Sequence, residues 1–150
     1  MESLEINTAI QISKTPSEVF EAIVDPSKMS NYFISESTGR MESGTTLEWK
    51  FPEFEEIAPV NIREVKKNEF SSFEWEGAKG EKLLVEIKLL EVPENNTLVK
   101  VTEGKMEVDE AGIQWFGGNT AGWANFLACL KAYLEYGINL RKGAFEFMRK

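Results

Sequence analysis

The sequence contains no histidine. That excludes Ser-His-Asp and Cys-His activation of a nucleophile, and every His-ligated metal site. Its single cysteine, Cys129, excludes an intrachain disulfide and cannot build a zinc site of the usual kind, so neither metal nor cofactor is expected. Catalysis would have to run on carboxylates, Lys, Tyr or backbone dipoles, which weighs against an enzyme. No run approaches the ~18–20 uninterrupted apolar residues of a membrane span. Basic residues are scarce, with 17 Lys and Arg against 25 Asp and Glu and a net charge of −8. Lys66-Lys67 and Arg141-Lys142 are isolated pairs, so the clustered cations that neutralise phosphates are missing and no nucleic-acid partner is expected. Met1-Glu2-Ser3-Leu4 has neither the basic n-region nor the apolar h-region of a secretory signal, which makes the cytoplasm the expected compartment.

What is present is a core. Hydrophobic residues make up 42% of the 150, including four Trp, enough for one domain spanning 1–150. The last long apolar run, Gly122 to Gly137, offers the only long helix. Trp123, Leu127, Leu130 and Leu134 recur at i, i+4, i+7 and i+11, with Phe126 and Tyr133 widening the stripe. Gly137 is a good C′ residue. The tail from Ile138 to Lys150 is either a docked closing segment or a frayed end.

Most of the rest reads as strands. Leu4, Ile6, Thr8, Ile10 and Ile12 alternate on one face. Thr15-Pro16-Ser17-Glu18 is a capping box that starts a short helix burying Val19, Phe20 and Ile23. Asp25-Pro26 restarts a second, which carries Met29, Tyr32 and Phe33 toward the core. From about Gly39 the period is two: Leu47, Trp49 and Phe51, then Val60 and Ile62, then the run Phe70 to Trp75. Leu83, Val85, Ile87 and Leu89 follow, then Thr97, Val99, Val101 and Glu103. Pro59 signals an edge or a bulge. Turns recur about every ten residues, the spacing of an antiparallel meander. Between Ala111 and Asn119, Trp115 and Phe116 are flanked by glycines. That segment is either an entrance loop or a hydrophobic staple, with Asn119 or Thr120 capping the helix.

An α+β architecture is predicted: a curved antiparallel sheet wrapped around a long C-terminal helix, with two short helices after the first strand. This order resembles the helix-grip fold of the START-like (SRPBCC) superfamily. Within it, Thr15 to Ile23 with Asp25-Pro26 and Tyr32-Phe33, the turn glycine Gly44, and Gly122-Trp123 with Leu127, Leu130-Lys131, Leu134-Glu135 and Gly137 are similar to the activators of heat-shock-protein-90 ATPase. That family usually has Trp where Tyr32 stands. The resemblance covers nearly the whole chain. It implies a cavity between sheet and helix, of a kind that holds lipids, sterols, polyketides or plant hormones elsewhere in the superfamily. The family's namesakes stimulate a chaperone's ATPase but carry a separate N-terminal domain, and the present sequence matches the C-terminal type alone.

The alternation nominates Leu47, Trp49, Phe51, Phe73, Trp75, Leu83, Val85 and Ile87 as the sheet wall of such a cavity. Trp123, Phe126, Leu127 and Leu130 face them from the helix. Thr8, Ser71 and Glu103 are the polar groups in register with inward neighbours. Glu103 is expected at the solvated end of its strand; buried, it would be a candidate acid or base. Cys129 reads as a small buried thiol. The leading expectation is a monomeric, non-catalytic binder of a small hydrophobic or amphipathic ligand, lipid, sterol, polyketide or flavonoid-like. Two other classes stay open. One is an interaction module for a chaperone-like partner, with Trp115, Phe116, Phe145 and Phe147 as its exposed patch. The other is a cyclase or hydrolase using a cavity carboxylate.

Overall fold

The computed structural model describes residues 2–149; Met1 and Lys150, the ends of the expected domain, lie outside them. Strand β1 (Ser3–Ile12) leads into α1 (Pro16–Val24) and α2 (Pro26–Met29). Thr15 caps α1 by accepting from the Glu18 N–H at 3.3 Å, and its hydroxyl donates to the Glu18 carboxylate at 3.1 Å. Asp25 caps α2 through the Ser27 N–H and hydroxyl, at 2.9 and 2.8 Å. Those two bonds hold its carboxyl below the usual Asp range. Tyr32 follows α2 and is buried, donating to the Ala22 carbonyl at 2.7 Å; burial pushes its phenol well up.

The short β2 (Glu36–Ser37) opens a meander of β3 (Thr46–Lys50), β4 (Ile57–Lys66), β5 (Phe70–Glu76), β6 (Lys82–Val92) and β7 (Asn96–Glu107). The seven strands form one antiparallel sheet in the order β1-β7-β6-β5-β4-β3-β2. Pro59 pairs with Glu48 of β3, whereas pairing to β5 begins only at Asn61, so the missing N–H falls where β4 has a neighbour on one side alone. Between Leu4 and Glu5 the β1–β7 register shifts, because Lys105 has no partner across the pair. This bulge resets the parity of β7. Val99, Val101 and Glu103 point inward before it, and Met106 points inward after it.

The long helix α3 runs from Glu110 to Tyr136, 27 residues and about 40 Å. It starts well before the expected Asn119 or Thr120 cap. Asp109 is the N-cap, accepting from the Gly112 N–H at 2.8 Å, and Gly137 closes the helix with φ +66°. The segment 111–119 is therefore helix, neither loop nor staple, and its glycines are placed for reasons other than turning. A Cβ at Gly112 would collide with the Glu107 carbonyl oxygen, so here the backbone passes too close for any side chain. At Gly117 an added Cβ meets nothing. Gly112→Ala is expected to destabilise by roughly 1–3 kcal/mol through overpacking. Gly117→Ala should stabilise by up to about 1 kcal/mol through helix propensity. Urea midpoints moving in the same direction for both would contradict this placement.

Helix α3 packs mainly against β1. Trp115, Trp123, Phe126, Leu127, Cys129 and Leu130 are buried beneath it, so the stripe read from Trp123 onward continues back to Trp115. No helix among the described residues is long and apolar enough to cross a membrane.

Candidate functional site

Antiparallel register places Glu103 in the middle of the sheet. It pairs with Ile6 on one side and Val85 on the other, Val85 pairs with Phe73, and Phe73 with Ile62. The row is buried throughout, and Glu103 itself is 0% exposed. The expectation of a solvated strand end is corrected: β7 runs on to Glu107 and α3 then returns across the sheet, so Glu103 lies under the helix instead of at its rim. A carboxylate is tolerated there only if donors satisfy it. Trp75 Nε1 donates to Oε2 at 2.8 Å, while Trp123 Nε1 and Asn119 Nδ2 donate to Oε1 at 2.7 and 3.2 Å. Among the described residues no cation takes part in these bonds. Two indoles and an amide from β5 and α3 are thus pinned to one buried acid.

Those three residues also face outward into a cleft of about 270 Å³ along α3. One wall is the helix face of Gly118, Asn119, Gly122, Trp123, Phe126 and Cys129. Opposite stand Trp75, Phe33 and the segment after β3, with Phe51, Glu53 and Phe54; the tail supplies Arg141, Phe145 and Met148. The rings interlock. Phe33 meets Phe51 edge-on at 5.2 Å and Phe126 at 4.7 Å, and Trp75 lies 5.6 Å from Trp123.

The tail is docked. Arg141 Nη1 and Nη2 donate to the two Glu53 oxygens at 2.8 and 2.9 Å, and both side chains are largely buried. The guanidinium also lies over the rings of Phe145, at 5.0 Å, and Phe51, at 5.9 Å. Arg149 donates to the Pro52 carbonyl at 3.2 Å. Cys129 is buried at the cleft floor, and burial pushes its thiol up despite Arg141 pulling the other way.

Of the residues nominated from sequence, Phe51, Trp75, Trp123 and Phe126 line the cleft. Leu47, Trp49, Phe73, Leu83, Val85, Ile87, Leu127 and Leu130 are buried in the core and do not line it. Thr8 is half-buried away from the cleft, with a hydroxyl that finds no partner among the described residues. Ser71 donates to Met41 Sδ at 3.2 Å inside the core. Of the four aromatics read as an exposed patch, Trp115 is buried under α3 and Phe145 is half-buried against Arg141; Phe147 is 81% exposed and Phe116 is at the surface. Among the cleft residues absent from that nomination, Glu53 and Phe54 come from a loop, Asn119 from the early turns of α3 and Arg141 from the tail. Among the described residues no group of three or more His, Cys, Asp and Glu is placed to hold a metal ion.

The sequence model of the family described as Activator of Hsp90 ATPase homolog 1-like protein matches residues 13–135. No curated protein matches the chain. Among solved structures, the protein SSP2350 from Staphylococcus saprophyticus is 33% identical over 92% of this chain and 96% of its own, with a TM-score of 0.80. The Aha1 dimer from Colwellia psychrerythraea is 21% identical over 89% of this chain and 98% of its own, with a TM-score of 0.76. DynU16, from the dynemicin biosynthetic locus, is 20% identical; the match covers 90% of this chain but 48% of that one, with a TM-score of 0.78.

Proposed function

Because the chain belongs to the family of Activator of Hsp90 ATPase homolog 1-like proteins and carries an aromatic cleft along its long helix, we propose that it is a non-catalytic binder of a small hydrophobic or amphipathic molecule. One observation carries the reading. Gly118 and Gly122 stand one helical turn apart on the cleft wall, and a Cβ added at either would meet no atom within 4 Å. The chain thus leaves open a space that ordinary helix-forming side chains would fill, at a cost of up to about 1 kcal/mol per glycine in helix propensity. A cleft walled by rings, with a few polar groups at its edge, is the usual make-up of a small-molecule site. The buried carboxylate supports a binding role over a catalytic one, since Glu103 spends its oxygens on protein donors behind the cleft wall. The similar fold of a protein from a biosynthetic locus is in keeping with a small-molecule role.

Amide and indole NMR titration with pooled fatty acids, sterols, flavonoids and polyketide-like aromatics tests the proposal. The expected result is saturable shifts of the Trp75 and Trp123 indole N–H signals. Gly122→Met should abolish them while leaving the protein folded, because a Cβ there meets no atom within 4 Å and the rest of the side chain extends into the cleft. Unchanged binding in that variant would remove the site.

A further inference from the structure

Resting on the cleft as a ligand site, we infer that its ligand is an uncharged, flat aromatic molecule that donates a hydrogen bond, from a hydroxyl or ring N–H, to Asn119 Oδ1. The argument begins with Glu103. Each of its oxygens already accepts from an indole N–H, a group that can only donate, so the carboxylate presents acceptors to everything around it. Asn119 must therefore turn its Nδ2 toward Oε1, where it lies at 3.2 Å. The amide cannot rotate without setting its own oxygen against that carboxylate. Its Oδ1 accepts from no donor among the described residues, and because Asn119 lines the cleft, that oxygen is the acceptor it has left to offer a ligand. A ligand that lacks a donor strips water from that oxygen without replacing it, a cost a donor-bearing ligand avoids. Asn125 also reaches the cleft mouth but is exposed, so water meets its amide and it selects neither kind of ligand.

A charged ligand finds the ion-pairing groups beside the cleft already taken. Among the described residues the only cation on the cleft wall, Arg141, spends both terminal nitrogens on Glu53. A ligand carboxylate could claim it only by leaving the buried Glu53 unpaired. A ligand ammonium finds Glu53 taken and Glu103 sealed at 0% exposure. The volume, about 270 Å³, is nearly twice that of a ~150 Å³ cavity that holds one benzene ring, room for a body of about two fused rings. Walls of ring edges and faces suit such a body better than a flexible chain.

The test uses 2-naphthol, 2-methoxynaphthalene and 2-naphthoate at neutral pH, followed by the Trp123 indole N–H signal, on the unmodified protein and on Asn119→Ala. The expected result is that 2-naphthol binds roughly three- to tenfold tighter than its methyl ether, the ratio one net hydrogen bond supports. Naphthoate should bind more weakly than either. In Asn119→Ala the preference for naphthol over the ether should vanish, while affinity for the ether is retained. Equal affinities of naphthol and ether in the unmodified protein would overturn the inference and leave the cleft as a binding site. Preference for naphthoate would overturn its charge component. Silence with all three probes in the unmodified protein, together with silence in the pooled titration, would remove the site and this inference with it.

Discussion

Replacing Glu103 with Gln is expected to lower the stability of the fold by roughly 3 kcal/mol, far more than an isosteric change of one heavy atom normally costs. Three donors converge on the carboxylate, one on Oε2 and two on Oε1. Bonds to a charged group are worth about 1.5–3 kcal/mol each, net of solvation. Gln keeps one acceptor and puts an NH2 in place of the other, so at least one indole N–H faces another donor inside a sealed row of apolar side chains. That unsatisfied group alone costs about 1–3 kcal/mol, and the surviving bonds lose their charge assistance. The opposing term is the desolvation of a buried carboxylate, several kcal/mol, which Gln relieves. Glu103→Leu decides between them. It relieves the charge fully but strands all three donors, so it should be less stable than the Gln variant by urea denaturation. If the Leu variant matched or exceeded the parent, the carboxylate would be a net burden and its organising role would fall. Tryptophan near-ultraviolet dichroism should weaken in both variants, because Trp75 and Trp123 lose the bonds that orient them.

How much of this site could be read in the chain depended on whether its parts repeat. Period-two alternation placed Glu103 on the inner face of β7 in common with Val99 and Val101, and the structure agrees. Its depth could not be read, because depth depends on how far β7 runs past it and on the bulge at Lys105, which no alternation signals. The beginning of α3 was hidden by composition. Asp109-Glu110 is an ordinary start signal, a capping acid followed by an acid in the first turn, but the glycines that follow argue against helix. Three of those glycines have reasons that leave no mark in sequence: Gly112 passes the Glu107 carbonyl, while Gly118 and Gly122 border the cleft; nothing in the structure explains Gly117. The aromatic half of the cleft was legible because Trp75, Trp123 and Phe126 belong to periodic elements. Its polar half was not, since Glu53 and Arg141 are 88 residues apart, on a loop and a tail without periodicity.

That pair should give the second large effect. Arg141→Met is expected to destabilise by about 3–5 kcal/mol, because it leaves Glu53, whose side chain is only 4% exposed, buried without its partner. The loss would exceed that of an exposed bidentate pair such as Arg40 with Glu21, where solvent screens the charges. Combining Arg141→Met with Glu53→Gln should recover most of the stability, since an amide in place of the carboxylate removes the stranded charge. What the double variant fails to recover combines the net worth of the ion pair with the guanidinium's contact with Phe145 and Phe51, the latter about 0.5–2 kcal/mol for cation–π pairs of this kind. Denaturation of the two single variants and the double variant completes the cycle. A single Arg141→Met within about 0.5 kcal/mol of the parent would mean that the tail is not held by this pair. The pair also has a consequence for the cleft. Residues 138–149 reach the body of the protein through Arg141 to Glu53 and Arg149 to Pro52, so breaking the first bond frees the wall that carries Phe145 and Met148. Affinity for a cleft-binding probe should therefore fall in Arg141→Met and stay low in the double variant, which recovers stability but not the bond that docks the tail along the cleft.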